Sequence, residues 1–354
     1  MKKILLLALA SVTLLLCSED VCARSWRINS SAEAKADFTS LSEALKSLEV
    51  FNGDTLYLDS GCYVWGTTIN KSVTIIGTGF NLAGSPVKEA VIGSGIEIDC
   101  GNVKVEGCII NGDVELTSKV VNLTFERCRI LGVVATTGGA PTISGPVKFL
   151  SCFLGEGIAP YKGNNFVISN NIIRGRLSNL NSATITNNVI VYDGTDSKTD
   201  YALVDIKNSS ISNNIIINTN AKYLVNSDQT VFYYKNNTIK DTTPRYNNSI
   251  VRNVLSTAAE YAFPNYPDNK FIGATLEDVF VMEGGIDAMY ELKEGSPALD
   301  YGTNGYDCGI FSGPYPFVLS GRPRLVPYIY EATIPNQSTD GKLNITLKIK
   351  SQNE

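Results

Sequence analysis

Eight segments of this chain repeat one short pattern, and that repetition limits the folds open to it more than any other feature. VKVEGCII, LTFERCRI, VKFLSCFL, FVISNNII, ATITNNVI, SSISNNII, VFYYKNNTI and SIVRNVL align on Cys108, Cys128, Cys152, Asn171, Asn188, Asn214, Asn237 and Asn253. The anchors are spaced 20, 24, 19, 17, 26, 23 and 16 residues apart. A constant strand pattern is therefore joined by loops of varying length. Three positions before the anchor stand Val105, Phe125, Phe149, Ile168, Ile185, Ile211, Tyr234 and Ile250. Two positions after it stand Ile110, Ile130, Leu154, Ile173, Ile190, Ile216, Ile239 and Leu255. Five positions before it come Val103, Leu123, Val147, Phe166 and Phe232, while the column two before is mostly polar (Glu106, Glu126, Ser169, Thr186, Ser212, Lys235). Apolar and polar residues alternating with period two describe a half-buried strand. No single unit can bury its apolar face alone, so the units must stack.

The anchor column has its own logic. An Asn at the same bend of each coil can bond backbone groups that the bend leaves unpaired, and also its neighbours above and below. Such a ladder is a signature of β-helix turns. Cys108, Cys128 and Cys152 continue it as small buried thiols. A disulfide between adjacent rungs fits the strand spacing of ~4.8 Å, but parallel side-chain vectors suit it poorly. Upstream, Phe38, Leu41, Ala44, Leu45 and Leu48 have helical spacing and predict a short helix capping the first coil. Asn52-Gly53-Asp54 then turns into a strand at Thr55-Leu56-Tyr57-Leu58, and Val73, Ile75, Thr78 and Phe80 repeat the column pattern.

The stretch DFTSLSEALKSLEVFNGDTLYLDSGCYVWGTTINKSVTIIGTGFNL resembles the opening of pectate-lyase-like β-helices. Ser296-Pro297-Ala298-Leu299-Asp300-Tyr301-Gly302 and Asp307-Cys308-Gly309-Ile310-Phe311 are similar to the closing coil of exported Bacteroidetes β-helix proteins. A Pro-rich stretch follows (Pro314, Pro316, Pro323, Pro327). Leu343, Ile345, Leu347 and Ile349 then alternate with Asn344, Thr346, Lys348 and Lys350, after an Asp340-Gly341 turn. The resemblance covers nearly the whole mature chain. It implies an all-β fold, a right-handed parallel β-helix solenoid with a short N-terminal capping helix and a small C-terminal β module. The expected division is 1–23 signal peptide, 24–313 β-helix, and 314–354 Pro-rich linker and β module. The fold hosts many functions, so activity does not follow from it.

The N-terminus predicts export. Lys2 and Lys3 precede an apolar run from Ile4 to Leu16, too short to span a bilayer comfortably. Val21-Cys22-Ala23 fits a small-residue cleavage site and makes Arg24 the mature start. The other reading is lipidation: Leu14-Leu15-Leu16-Cys17 resembles a lipoprotein box, and Ser18-Glu19-Asp20 resembles an acidic surface-export tag. Leu16 stands there where a small residue is usual. Either route predicts a secreted or outer-surface protein with no transmembrane segment in the mature chain. Cleavage after Ala23 leaves six cysteines, Cys62, Cys100, Cys108, Cys128, Cys152 and Cys308.

Composition narrows the chemistry. The chain has no histidine, which removes Ser-His-Asp and Cys-His catalysis and His-ligated zinc. A net charge of −5 offers no electrostatic footprint for nucleic acid. Polygalacturonase-type hydrolases need a Gly-His-Gly motif that cannot exist here. Pectate lyases work with clustered Asp ligands for calcium and an Arg or Lys base, a device that needs no histidine. Asp193, Asp196, Asp200 and Asp205, with Lys198 among them, fall in the 26-residue step between Asn188 and Asn214 and are the candidate metal ligands. The plain alternative is a solvated acidic turn. Arg127, Arg129, Arg174 and Arg176 do not share one column, so no continuous basic line is expected. Tyr233, Arg174 and Arg176 are the candidate substrate contacts. Two functions follow. The first is a non-catalytic exported scaffold for glycan binding or adhesion, monomeric and without a resident cofactor. The second is a calcium-dependent polysaccharide lyase or related carbohydrate-active enzyme.

Overall fold

The computed structural model describes residues 23–63, 67–82, 87–138, 141–192, 202–218, 249–255, 268–271, 275–323, 326–338 and 340–350. Among them the chain is mostly β, with long parallel sheets and very few helices. Sheets 1 and 2 have ten strands each, sheet 3 has seven and sheet 4 has three. Successive turns visit sheets 1, 2 and 3 in the same order, and three of them add a strand to sheet 4. Leu123–Glu126 lies in sheet 1, Arg129–Ile130 in sheet 2, Val134–Thr136 in sheet 3 and Thr142–Ile143 in sheet 4. The chain then re-enters sheet 1 at Val147–Leu150.

The two apolar columns read from sequence are the pairing registers of sheets 1 and 2. In sheet 1, Val105, Phe125, Phe149, Ile168, Ile185, Ile211 and Ile250 face one another in succession. In sheet 2, Ile110, Ile130, Leu154, Ile173, Ile190, Ile216 and Leu255 do the same. Nearly all belong to one continuous core. Phe125, Phe149 and Phe166 stack through it, with centroids 5.3 and 6.5 Å apart. Each fully buried aliphatic or aromatic side chain is worth about 1.5–3 kcal/mol of apolar burial.

The corner between sheets 1 and 2 is made by the residue just before the anchor. Gly107, Arg127, Ser151, Asn170, Asn187, Asn213 and Arg252 all have positive φ, between 53° and 66°. That left-handed kink lets the chain bend within two residues, and Asn and Gly tolerate it best. The anchor then closes the corner. Asn188 donates from Nδ2 to Ile168 O (2.8 Å) and Asn214 Oδ1 (2.9 Å), while its own Oδ1 accepts from the Asn171 amide and Asn171 Nδ2, both at 2.9 Å. Asn171, Asn188, Asn214 and Asn253 are fully buried. The ladder gains a further rung at Asn269, whose Oδ1 accepts from Asn253. Below it, Cys108, Cys128 and Cys152 carry free, buried thiols, with the Cys128 amide 3.5 Å from Cys152 Sγ.

Two sequence expectations need correcting. Asn237 was aligned as a rung between Asn214 and Asn253, yet the Asn214 amide bonds Asn253 Oδ1 directly at 2.9 Å, and Ser210–Ser212 pairs with Ser249–Val251. Asn237 itself lies outside the described residues. A local pattern shows that a segment could form a rung; the rung above decides whether it does. The capping helix is shorter than its spacing predicts. It runs Leu41–Lys46, capped by Ser40 Oγ accepting from the Glu43 amide. Ser47 turns to extended geometry, and Leu48 is left 92% exposed.

The C-terminal portion holds the main surprise. Residues 276–323 do not form a further coil; they run back along the outside of the stack. Outward-facing residues of sheet 2 (Phe153, Ile172, Val189, Ile215, Val254) are buried beneath Val279, Phe280, Tyr290, Cys308, Ile310 and Phe317 as a second core. The kink column anchors this strap. Cys308 Sγ bonds Arg252 O (3.2 Å), the Gly309 amide bonds Asn213 O (2.9 Å), Asn170 Nδ2 bonds Ile310 O (2.8 Å) and also Ser312 O, and Ser151 Oγ bonds Tyr315 O (2.7 Å). Arg127 is 2% exposed and donates to Arg322 O at 2.6 Å, so it is a strap clamp rather than a surface charge. Beyond the strap, Tyr328–Thr333 and Thr346–Lys350 form an antiparallel hairpin whose strands are largely exposed.

Candidate functional site

The clearest recess that collects functional side chains lies where sheet 3 passes into sheet 4. A groove of about 380 Å³ is lined by Tyr161, Lys162, Gly163, Asn164, Asn179, Leu180, Asn181, Asp205 and Lys207. Its floor is set by local chain chemistry. Asn179 and Asp205 take the left-handed conformation, φ 57° and 52°, which their short polar side chains tolerate. At Gly163 a Cβ would lie 2.8 Å from side-chain atoms of Phe166 and Pro160, so glycine lets the chain lie close against the core there.

A second, outer amide ladder crosses this groove. Asn181 Nδ2 donates to Asn164 Oδ1 at 2.9 Å, and Asn208 Nδ2 donates to Asn181 Oδ1 at 2.6 Å. Unlike the inner ladder, these amides are half-buried or exposed. Asn164 Nδ2 also reaches Ile143 O and Asn181 Nδ2 also reaches Ser182 Oγ, both at 3.4 Å; the rungs repeat at ~4.8 Å, close to the length of one pyranose residue. Tyr161 stands at the rim, 53% exposed, with its amide bonded to Thr136 Oγ1 at 3.1 Å and Lys162 Nζ 5.3 Å from its ring centroid. The groove thus offers an aromatic face, two ammonium groups, one carboxylate and a row of amides. That set can stack on a ring and bond a series of hydroxyl groups.

A second recess of about 580 Å³ lies on the outer face of sheet 3 and includes Thr68, Ser94, Glu97, Asn111, Asp113 and Glu115. Glu97 and Glu115 are register partners on adjacent strands. Asp113 Oδ1 accepts from the Val133 amide at 2.9 Å and serves the chain rather than a ligand.

Of the candidates read from sequence, Asp205 lines the groove. Asp193, Asp196, Asp200 and Tyr233 lie outside the described residues, as does Cys17. Arg174 is exposed on the bend between sheets 2 and 3. Arg176 is committed elsewhere: its Nη2 donates to Tyr192 Oη at 2.8 Å and its guanidinium lies 5.5 Å from that ring's centroid. Among the described residues, no cluster of three or more Cys, Asp or Glu side chains is placed to hold a metal ion, and no helix is long and apolar enough to cross a membrane. The outer ladder was missed, although its signal was present: Asn164 and Asn181 each stand seven residues before their buried anchors, Asn171 and Asn188.

No family model matches the chain, and no curated protein or solved structure matches it.

Proposed function

We propose that this is an exported protein whose coils close into a right-handed parallel β-helix of the Bacteroidetes type, and that it works as a non-catalytic glycan-binding scaffold. Parallel strands returning to the same sheet are right-handed in nearly all folds, which supports the hand. The groove beside Tyr161 carries the function: an exposed aromatic ring next to an outward amide ladder in step with the coil repeat. A glycan running along the stack axis would set successive residues against Asn164, Asn181 and Asn208, with its ring face on Tyr161. Lys162 and Lys207 suit a glycan with carboxylate or sulfate groups.

The test is a glycan array followed by titration calorimetry on the best oligosaccharide. Tyr161→Ala and Asn181→Ala should each weaken binding at least tenfold without shifting the unfolding midpoint by much. Unchanged affinity in both variants would remove the groove from the function. A calcium-dependent lyase is the second reading, favoured only by Asp205 and Lys207 sharing the groove. Ultraviolet-absorbing unsaturated product from a uronic-acid polymer with calcium, lost in Lys207→Ala, would replace the binding reading with that one.

A further inference from the structure

An unusual carboxylate, Asp54, stands just before the second strand of sheet 1, Thr55–Leu58, beside the start of the first, Ser25–Ile28. Asp54 is 1% exposed. Its Oδ1 accepts from the Arg24 backbone nitrogen at 2.8 Å, and its Oδ2 accepts from Trp26 Nε1 at 2.8 Å and the Phe51 amide at 2.9 Å. All three donors are uncharged while Arg24 sits within a longer chain, and no Lys or Arg side chain among the described residues pairs with Asp54. The exposed Arg24 guanidinium adds only the smallest of the attractions that hold Asp54 ionised; a buried carboxylate without a hydrogen-bonded cation is costly, and a cation bonded directly to it is worth more than one at the surface.

We propose that the Ala23–Arg24 bond is a processing site and that Asp54 is the built receptor for the α-ammonium group released there. This rests on the export reading above. A leader-removing peptidase adds water across the bond; Ala23 leaves with the new carboxylate, and the Arg24 nitrogen takes up protons to become an ammonium. That nitrogen does not have to move. The Thr55 amide holds Arg24 O at 2.8 Å, and the parallel register begins at the next residue, Ser25 against Thr55. The sheet, not the upstream chain, fixes the nitrogen at its carboxylate. Cleavage one bond earlier or later would put the charge elsewhere, and lipidation at Cys17 would leave Arg24 an amide. Burial pushes the Asp54 carboxyl up, but the bonds from Arg24, Phe51 and Trp26, with a smaller attraction from the Arg24 charge, outweigh it and hold the group below its ordinary value, hence ionised at neutral pH. Lys71, the other cation nearby, gives its ammonium to Ser47 O and Val50 O.

The test compares mature chains starting at Arg24 and at Ala23, each with Asp54 and with Asp54→Asn, by urea unfolding at pH 6 and pH 10. N-terminal mass spectrometry of the exported protein runs alongside. An ion pair here should raise the α-amine by about one pKa unit from roughly 8, which is about tenfold in the folding constant. The Arg24 chain should hold that tenfold advantage at pH 6, lose it by pH 10 as the amine deprotonates, and lack it in Asp54→Asn. An N-acetylated Arg24 chain keeps Asp54 and should lose the same tenfold, which covers the case of Asp54→Asn failing to fold. An exported chain beginning elsewhere overturns both the drawn cleavage and the receptor. One beginning at Arg24 with no advantage overturns the receptor alone.

Discussion

Replacing Asn188 with alanine is the sharpest probe of what holds the coils in register. The substitution removes the amide that takes the Asn171 backbone N–H and the amide that donates to Ile168 O. Both residues are fully buried, so neither group can turn to water. Asn171 Nδ2 keeps its bond to Phe149 O, and Asn214 Oδ1 keeps the Asn188 backbone amide, so two orphans rather than four are created. An unsatisfied buried polar group costs roughly 1–3 kcal/mol, and the pair gives a loss of about 4 kcal/mol. Asn181→Ala removes an amide from the outer ladder, where water can replace it, and should cost less than about 1 kcal/mol. Asn188→Cys should fall between them, because sulfur accepts weakly in the lower rungs. Urea midpoints measure the difference, and native-state hydrogen exchange should show extra opening around the Asn171 and Asn188 rungs first. If Asn188→Ala proves no worse than Asn181→Ala, the inner ladder is not what secures the register.

Other expectations follow from close approach and burial. At Gly175 a Cβ would lie 2.2 Å from the Glu156 carbonyl carbon, whereas at Gly138 nothing lies within 4 Å. Gly175→Ala should therefore lower stability by about 3 kcal/mol and Gly138→Ala by less than ~0.5 kcal/mol; equal thermal midpoints would contradict this packing. Burial, helped by Glu106 for Cys108 and Asp307 for Cys308, pushes both thiols up to about 12 from the ordinary 9.0. The fold keeps these thiols protonated where the unfolded chain releases the protons, so their contribution is complete below pH 9 and declines as pH rises toward 12. The urea midpoint should fall between pH 9 and 11 less steeply in Cys308→Ala than in the parent; identical slopes would refute the assignment.

How much of this was legible depended on periodicity. The inward columns could be read because every coil must fill the same positions, so Phe125, Phe149 and Ile168 reveal a register without any structure. The bend between sheets 2 and 3 was less visible, since Gly112, Gly132, Gly155 and Gly175 are set by backbone approach rather than by a side-chain pattern. The strap was not visible as a strap, because it contacts many coils once each and so repeats nothing. Its sequence resembled a closing coil, and its apolar residues do close a surface, but one on the outside. The outward apolar residues Phe153 and Ile172 were the clue: an exposed face with that composition needs a cover. Of the groove residues only Asp205 stood out; Asn164 and Asn181 hold a constant spacing to their anchors, but a two-rung match is too short to stand out as a column.

The direction of the strap bears on how the molecule is made. Coils can form in order as the chain emerges, each on the last. The strap is synthesised after all of them, yet it reaches back to early ones: Asn81 bonds Asp287 across 206 residues and Arg127 bonds Arg322 across 195. Until those last contacts form, the apolar outer face of sheet 2 stays open to water and to neighbouring chains. Vectorial growth is thus completed by a single long-range closure, which turns a stack that could fray coil by coil into a unit whose two ends answer to one another. A nascent chain halted before residue 276 would be a finished ladder with an unfinished skin.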